Sequence, residues 1–224
     1  MILAGGLGTR LRSAYSGPKC LAPVNGRPFL ELQMGALAAQ GIDHFVLALG
    51  HLSEVVLDAV APLKARHHIT HVIETQALGT GGAVLNAWAA LGGDEALVTN
   101  GDTWLDAPLK PLLRPLDIDR GESMRLAAVR VEDRARYGGL MLDGDRVVGF
   151  VPKGAQGPGL INGGLYRMHR RAFDGMEPGS AFSLENVLMP ALVERSQMTA
   201  MPVEGYFIDI GIPEDYRRFC ASHG

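Results

Sequence analysis

The chain has 224 residues, of which 47% are hydrophobic and 20% charged, so it is long enough to bury a core as a single domain spanning 1–224. Its net charge of −3 gives no overall attraction for nucleic acid or an anionic membrane, and no apolar stretch approaches the ~20 residues that span a bilayer. Two cysteines exclude a disulfide framework, and with no signal-peptide pattern at the N-terminus they predict a cytoplasmic protein.

Strands and helices alternate through the first half of the sequence. Strands are predicted at 2–4, 44–50, 71–74 and 96–100, and helices at 28–41, from Ser53 onward and at 81–91. Ser53 is expected to cap its helix. Strands that alternate with helices at this spacing form a parallel sheet covered on both faces, so residues from about 1 to 115 predict a nucleotide-binding half.

Helix 28–41 carries a more specific prediction about which side is buried. Its residues Phe29, Leu32, Ala36 and Ala39 are apolar or small and follow the period of a helix. We therefore expect these four side chains to share the face that packs against the sheet.

The second half, from about 116 to 224, is richer in strands. Its predicted elements are strands at 124–131, 138–144, 146–151, 160–168, 198–203 and 206–211 and helices at 183–195 and 213–222. Glycines separate several of these short strands, which is typical of turns. The sequence thus predicts one mixed sheet in which the first half continues into a more strand-rich second half.

A glycine-rich loop follows the first strand and leads directly into positive charge. Gly5, Gly6 and Gly8 precede Thr9 and Arg10. The loop lacks the G-K-[ST] of a Walker A motif and the spacing of a G-x-G-x-x-G dinucleotide loop. Glycines let backbone N–H groups approach an anion closely, so the loop predicts phosphate binding, with a solvated glycine turn as the alternative. We expect the loops after the neighbouring strands to meet it in one crevice.

A series of short motifs, taken in order, resembles the signature of the sugar-phosphate nucleotidyltransferases. The motifs are G-G-x-G-T-R-L (5–11), P-K (18–19), L-G-T-G-G (78–82), N-G-D-T (100–103), R-Y-G-G (136–139), F-V-P-K (150–153), I-N-G-G-L-Y (161–166), F-S-L-E (182–185) and F-I-D-I-G-I-P (207–213). Several are common alone, but the ordered set is specific. Within the family the sequence most closely resembles guanylyltransferases that act on D-glycero-α-D-manno-heptose 1-phosphate and make GDP-heptose for surface polysaccharides. The resemblance implies an α/β, Rossmann-like nucleotidyltransferase fold with a mixed, mostly parallel central sheet flanked by helices.

The resemblance also implies a reaction. In this family a sugar 1-phosphate attacks the α-phosphorus of a nucleoside triphosphate, and pyrophosphate leaves. The attacking oxygen is already ionised at pH 7, so the site needs charge neutralisation and in-line positioning rather than a general base. By resemblance, Arg10, Lys19 and Asp102 are the catalytic residues, and Asp102 and Asp209 bind Mg²⁺. A turn residue at Asp102 and a strand-end cap at Asp209 are the alternatives.

Further residues are assigned to the two substrates by the same resemblance. The nucleotide-binding set is Leu3, Ala4, Gly5, Gly6, Gly8, Thr9, Arg10, Lys19, Glu74, Gly79 and Thr80. The resemblance makes the half from about 116 to 224 the sugar-phosphate-binding half. The sugar-phosphate-binding set is Tyr137, Gly138, Lys153, Asn162, Gly163 and Glu185. A carboxylate at Glu74 can accept both N1–H and N2–H of guanine, although it can also accept the single N3–H of uracil or thymine. Glu185 is alternatively a capping partner of Ser183.

The predicted partners are GTP and a sugar 1-phosphate, with neither nucleic acid nor a membrane. This sequence has Pro152 where relatives often carry glutamate, and this difference leaves the identity of the sugar open. The alternative pairs are UTP with an N-acetylated amino-sugar phosphate, dTTP with glucose 1-phosphate, and GTP with mannose 1-phosphate. A non-catalytic nucleotide-sugar regulator and a dinucleotide-dependent oxidoreductase are rivals from other classes. The retained charged residues disfavour the first, and the glycine spacing disfavours the second.

Three side-chain features stay outside these motifs. The arginines at 167, 170 and 171 are expected at a helix-start surface or in the subunit contact of a homodimer. The histidines at 67, 68 and 71 are expected in a solvated turn rather than around a metal. Cys20 is expected to be a small buried filler beside Lys19.

Overall fold

The computed structural model describes residues 1–6 and 8–223, so Leu7, inside the first glycine motif, and Gly224 lie outside the described residues. The first half contains β1 (Ile2–Leu3), β2 (Pro23–Val24), β3 (Arg27–Pro28), α1 (Phe29–Ala38), β4 (His44–Leu49), α2 (Ser53–Val60), β5 (His68–Ile73), α3 (Gly79–Ala87), β6 (Glu95–Asn100) and β7 (Thr103–Asp106). The second half contains β8 (Met124–Val131), β9 (Gly139–Asp143), β10 (Arg146–Val151), β11 (Gly159–His169), α4 (Met189–Glu194), β12 (Met198–Val203), β13 (Tyr206–Asp209) and α5 (Pro213–Ser222).

Within the described residues, nine strands form one sheet in the order β5-β4-β1-β6-β11-β8-β12-β10-β9. Parallel pairs are β1–β4, β1–β6, β4–β5 and β8–β12. Antiparallel pairs are β6–β11, β11–β8, β12–β10 and β10–β9. The α/β class and the mixed sheet are confirmed, and most parallel pairs lie in the first half. β11 of the second half pairs directly with β6 of the first, and a division of the chain near residue 115 stays a prediction.

Successive apolar side chains of β4 point to opposite faces of the sheet, which explains why helices cover both faces. Phe45, Leu47 and Leu49 belong to one apolar cluster, which also contains residues of α1 and α2. Val46 and Ala48 point the other way, into a cluster with residues of α3 and α4. Each fully buried large side chain contributes roughly 1.5–3 kcal/mol, so both layers hold the strand ends in place. No helix in the described part of the chain is both long and apolar enough to cross a bilayer.

The buried face of α1 differs from the prediction. Phe29 is buried, but Leu32 and Ala36 are only partly buried and Ala39 is exposed. The buried residues that follow Phe29 are Leu30, Gln33, Met34 and Leu37. Their spacing is helical, but a polar glutamine in the middle of the stripe obscured it.

The predicted cap of α2 is also wrong, because Ser53 is already the first helical residue. Leu52 occupies the capping position with a φ of 58°, and no side chain caps this helix end. Ser53 is therefore the first residue of the helix and not its N-cap.

Two of the arginines, Arg167 and Arg171, are partly buried and are hydrogen-bonded to neighbouring segments. Arg167 Nε donates to Glu95 Oε2 at 2.8 Å, and the Arg171 guanidinium donates to Ser123 Oγ at 3.0 Å and to two backbone carbonyls. The helix start was expected, and a 3₁₀ turn begins at Arg170. Arg167 and Arg171 are only partly exposed, because acceptors on neighbouring segments bind their side chains. A subunit contact stays a prediction.

The histidine turn is shorter than predicted, since only His67 precedes the strand. His68 and His71 lie within β5, and the ring of His68 stacks on that of His44 at 4.2 Å between centroids. Among the described residues, no group of three or more metal-ligating side chains is brought together here or elsewhere.

Candidate active site

A cleft of about 840 Å³ opens at the carboxyl ends of β1 and β6. The loops after Ala4, Glu74 and Asn100 all contribute to it, as the parallel arrangement of these strands predicted. The predicted site residues that line it are Leu3, Ala4, Gly5, Gly6, Arg10, Lys19, Glu74, Gly79, Thr80, Asp102, Tyr137, Gly138, Lys153, Asn162, Glu185 and Asp209. One cavity therefore gathers residues from both halves of the chain.

The loop after β1 presents bare backbone to this cleft. A methyl group built on Gly6 would meet no described atom within 4 Å, whereas one built on Gly5 would lie 3.2 Å from Glu74 Oε1. Gly8 has a φ of 64°, the left-handed region that favours glycine, and lies against the Lys19 side chain. Gly8 and Thr9 are not among the described residues that line the cleft, so their nucleotide role stays a prediction.

Two acidic and two basic side chains converge next to this loop. Lys19 Nζ donates to Asp102 Oδ2 at 2.5 Å, and both side chains are largely shielded from solvent. A methyl built on Gly211 would lie 2.7 Å from Asp209 Oδ1, 3.3 Å from Lys19 Nζ and 3.5 Å from an Arg10 guanidinium nitrogen. All four charged groups thus surround one small region of the cleft.

The electrostatics of that region show how close the two carboxylates are. Burial raises the pKa of Asp209, and the negative charge of Asp102 raises it further. The Gly211 N–H donates to Asp209 Oδ1 at 2.7 Å. This hydrogen bond and the positive charges of Lys19 and Arg10 act to lower the pKa of Asp209. Two neighbouring carboxylates that repel one another are a donor set that suits a divalent cation, whose remaining ligands can be waters and phosphate oxygens.

A separate two-stranded ribbon brings these carboxylates together from distant parts of the sequence. β7 and β13 pair antiparallel, with Asp209 opposite Thr103. The Ile210 N–H also donates to the Asp102 carbonyl at 2.9 Å. The strand β7 was not predicted, because N-G-D-T followed by a short apolar segment resembles a turn that runs into a loop. Asp102 does lie in a turn, and Asp209 ends β13 with its Oδ1 accepting from Gly211 N, so both alternative placements are observed. The metal role of the two aspartates stays a prediction.

The turn that carries Asp102 is anchored by a residue that the sequence analysis missed. Gln33 is 5% exposed, and its Nε2 donates to Asn100 O at 2.9 Å and to Thr103 O at 2.7 Å. Gly101 N donates to Leu3 O at 2.9 Å, which ties the same turn to β1. The feature of the sequence that could have identified Gln33 is that it is the one amide among the apolar residues of the buried face of α1.

The second glycine motif, 78–82, was predicted as a loop, but it forms the start of α3 and is covered by another part of the chain. We call these residues the second glycine loop. Phe182 N donates to Leu78 O at 2.9 Å, and Phe182 O accepts from the N–H groups of Gly81 and Gly82. Leu184 N donates to Thr80 Oγ1 at 2.8 Å. The loop expected to bind the base and ribose is therefore joined to the segment that carries Glu185, a connection that the motifs did not reveal.

The start of the helix at 184 separates the two readings of Glu185. Ser183 Oγ accepts from Asn186 N at 3.1 Å, so Ser183 caps a π-helical turn spanning Leu184–Leu188. The capping bond thus comes from Asn186, and Glu185 lines the cleft. This placement fits a substrate contact, which stays a prediction.

The opposite wall of the cleft comes from the second half of the chain. Tyr137 and Gly138 lie beside Lys153, and an ion pair between Arg136 and the buried Asp215 connects their loop to α5. Asn162 Nδ2 donates to the hydroxyl of Tyr166, whose pKa is raised by complete burial. This bond orients the Asn162 amide in the cleft.

Gly163 lies in β11 outside the set of described cleft-lining residues. A methyl there would lie 2.8 Å from Ala127 O, so glycine allows β11 to approach β8. The next residue, Gly164, lines the cleft instead, with a φ of 69°. The structure gives Gly163 a role in packing β11 against β8. The sugar contact at Gly163 stays a prediction.

Comparison with known proteins identifies the family. The sequence matches the family model described as Nucleotidyl transferase over residues 1–222. The chain belongs to the nucleotidyl transferase family. The resemblance inferred from the motifs is confirmed.

Relatives and a solved structure match this nucleotidyl transferase along its full length. It is 37% identical to the D-glycero-α-D-manno-heptose 1-phosphate guanylyltransferase of Campylobacter jejuni, over 100% of the chain and 99% of the relative. It is 33% identical to the protein of the same name from Aneurinibacillus thermoaerophilus, over 97% and 95%. HddC from Yersinia pseudotuberculosis complexed with GMP-PN has 34% sequence identity and a TM-score of 0.83, covering 100% and 98%.

Proposed function

We propose that the protein transfers GMP from GTP to D-glycero-α-D-manno-heptose 1-phosphate, giving GDP-heptose and pyrophosphate. The observation that carries this proposal is the convergence of Arg10, Lys19, Asp102 and Asp209 beside an open glycine loop. Relatives that match the whole chain at similar length are named for this reaction, which supports the choice of substrates.

The chemistry needs only charges and positions that such a site can supply. An oxygen of the sugar 1-phosphate forms a bond to the α-phosphorus of GTP, and the bond from that phosphorus to the bridging oxygen of the β-phosphate breaks. The electron pair of the broken bond leaves with pyrophosphate. The nucleophile is ionised at neutral pH, so the largest task is to offset negative charge as it moves onto the leaving group.

Arg10 and Lys19 are placed to offset that charge. Arg10 offers a planar fork of donors to phosphate oxygens, and Lys19 offers a compact positive charge. We propose that Asp102 and Asp209 bind Mg²⁺, since the family generally uses a divalent metal and carboxylate oxygens suit this ion. When bound, the ion supplies positive charge at the phosphate oxygens.

Recognition of guanine is assigned to Glu74. Its Oε2 accepts from Leu78 N at 3.2 Å, and its Oε1 lies against the bare backbone of Gly5 and Gly50. Partial burial raises the pKa of Glu74. A carboxylate fixed in this way can accept the paired N1–H and N2–H donors of guanine, a pair that uracil and thymine lack.

The sugar phosphate is assigned to the opposite wall of the cleft. Lys153 is the cation there that binds the phosphate, and Asn162, Tyr137 and Glu185 supply polar groups for sugar hydroxyls. A cytoplasmic location fits a GTP-dependent enzyme with two free cysteines among its described residues. The assignment to surface polysaccharide synthesis and the homodimer both stay predictions.

Pyrophosphate release with Mg²⁺ tests the proposal directly. GTP, UTP, dTTP, CTP and ATP are each paired with D-glycero-α-D-manno-heptose 1-phosphate, mannose 1-phosphate, glucose 1-phosphate and N-acetylglucosamine 1-phosphate. We expect the largest kcat/KM for GTP with the heptose phosphate. Preferred turnover of another pair would retain the reaction class and replace the substrates. Nucleotide-sugar binding without pyrophosphate release from any pair would instead favour a regulatory protein.

A further inference from the structure

We infer that Gln33 is a positioning residue, which holds the turn of Asp102 in the geometry that a metal-bound triphosphate requires. The inference rests on the proposed function for its choice of substrates. Its structural basis is that a single side-chain amide binds both ends of the turn, at Asn100 O and at Thr103 O. Gln33 lies on a buried helix face and does not touch the cleft, so it acts through Asp102.

The two hydrogen bonds fix the turn more tightly than one bond would. Asn100 ends β6 and Thr103 begins β7, so the amide clamps the residues on either side of Gly101 and Asp102. Both donors belong to one planar NH₂ group, and their distances of 2.9 and 2.7 Å are those of well-formed bonds. The separation between the two carbonyls is therefore set by the geometry of a single amide.

Two main-chain bonds support the same turn from other directions. Gly101 N donates to Leu3 O, and the Asp102 carbonyl accepts from Ile210 N, both at 2.9 Å. The first ties the turn to the strand that precedes the glycine loop, and the second ties it to the strand that carries Asp209. Gln33 adds the third support, from α1, and it is a side chain that a point mutation can remove.

The other atom of the amide fixes the orientation in which Gln33 binds the turn. Gln33 Oε1 is buried and, within the described residues, has no hydrogen-bond donor. Rotating the amide by half a turn would place this oxygen against two carbonyl oxygens, so the observed orientation is fixed. The amide therefore directs both of its N–H groups at the turn that carries Asp102.

The chain offers a matched control in Gln40, which follows the same helix. Gln40 Nε2 donates to Ala107 O at 3.1 Å, and its Oε1 accepts from Leu109 N at 2.7 Å. Gln40 therefore also ties the segment at the end of α1 to a distant stretch of backbone. That stretch, at Ala107 and Leu109, follows β7 and lies outside the turn of Asp102. Removing either amide deletes two hydrogen bonds between a side chain and the backbone, and only the deletion at Gln33 reaches the predicted metal ligand.

The experiment compares Gln33→Met and Gln40→Met with the wild-type chain in three measurements. Urea unfolding reports the stability of each variant. Loss of the EPR signal of free Mn²⁺ reports metal affinity, with this ion as the probe. Steady-state turnover of GTP with D-glycero-α-D-manno-heptose 1-phosphate, as a function of Mg²⁺, reports activity. Gln33→Glu is a second variant that keeps the shape and, when protonated, one donor.

We expect Gln33→Met to weaken Mn²⁺ binding and kcat/KM by about 10- to 100-fold, the range measured when residues that orient metal ligands are removed. Gln40→Met is expected to stay within about threefold of wild type in both, at a similar loss of stability. Gln33→Glu is expected to lie between Gln33→Met and wild type. Equal effects of the two methionine variants, or unchanged Mn²⁺ affinity in Gln33→Met, would overturn the inference. If the wild-type chain turns over no substrate pair, the proposed function fails, and the Mn²⁺ titration still decides the role of Gln33.

Discussion

The two glycine-rich loops of the cleft use the same residue type for different reasons. A methyl on Gly6 would meet no described atom within 4 Å, so the backbone there is open to a ligand. A methyl on Gly81 would lie 2.3 Å from the Phe182 ring, and one on Gly82 would lie 2.4 Å from Ser180 O. The backbone of the first loop is open to the cleft at Gly6, whereas the backbone of the second is covered by another segment of the chain.

The comparison teaches that a glycine motif by itself does not reveal what approaches the backbone. In sequence, G-G-x-G and G-T-G-G both suggest a phosphate or nucleotide loop. The difference lies in whether a distant part of the chain fills the space, and that depends on tertiary structure. The predictions below separate a loop shaped for a ligand from a loop shaped for the protein, beginning with the largest expected effect.

Replacing Lys19 with methionine removes the positive charge that lies next to the first loop. The Lys19 side chain packs against Gly8, and its ammonium group lies 2.5 Å from Asp102. We expect kcat to fall by about 10²- to 10³-fold, as when one preorganised donor to a developing charge is lost. Turnover at saturating GTP and sugar phosphate measures the effect, and Lys64→Met, at an exposed site, is the control. Retention of more than a tenth of the wild-type kcat would remove Lys19 from the catalytic set.

Alanine at Gly82 and at Gly6 should separate folding from binding. Gly82→Ala forces a methyl against a backbone oxygen that side-chain rotation cannot relieve, so we expect a loss of about 1–3 kcal/mol in the free energy of unfolding. Gly6→Ala should leave that free energy nearly unchanged and raise the KM for GTP, because its methyl enters the open cleft. Urea unfolding and steady-state kinetics on both variants test the contrast. Equal destabilisation by the two substitutions would contradict the distinction between the loops.

Thr80 tests the connection between the second loop and the segment of Glu185. Thr80→Val removes the acceptor of the Leu184 N–H, and leaving a shielded donor unpaired costs about 1–3 kcal/mol. We expect the KM for the sugar phosphate to rise more than the KM for GTP, because the segment that begins at Leu184 carries Glu185. Thr80→Ser keeps the acceptor and should restore both values. A larger change in the KM for GTP would instead support direct contact of the hydroxyl with the nucleotide.

Glu74 touches both loops, and it gives the smallest of these effects. Burial raises its pKa above the usual 4.5, while the bond from Leu78 N acts in the opposite direction. Because a raised pKa means that the carboxylate is protonated at a higher pH, GTP affinity should fall as the pH is lowered toward that value. We expect a change of a few-fold between pH 8 and pH 5, measured as GTP binding by calorimetry. Glu74→Gln should bind more weakly and lose this pH dependence, and an unchanged profile in the variant would assign the titration to another group.

Much of the architecture was accessible from the sequence, since the strands at the centre of the sheet are continuous apolar runs with little ambiguity. β8 was predicted with the observed bounds, 124–131, and the crevice followed from the rule that strand ends share an edge. The order of the motifs then indicated which loops carry the charged residues of the site. These features depend on local pattern and chain order, which a single sequence contains.

The parts that escaped prediction depend on contacts between distant segments. Gln33 looks like a solvent-facing helix residue until the turn at Asn100 and Thr103 is placed beneath it. Phe182 looks like an ordinary core residue until the second glycine loop packs around it. Neither role produces a periodic signal, because each arises where two elements far apart in sequence meet.

The ribbon of β7 and β13 also determines when the site can exist. During synthesis, Asp102 leaves the ribosome long before Asp209, and β7 has no ribbon partner until β13 follows it. A nascent chain therefore holds the glycine loop and Lys19 without the second carboxylate. The acidic pair forms only when β13 pairs with β7, so the proposed metal site depends on the last strand of the chain to be made.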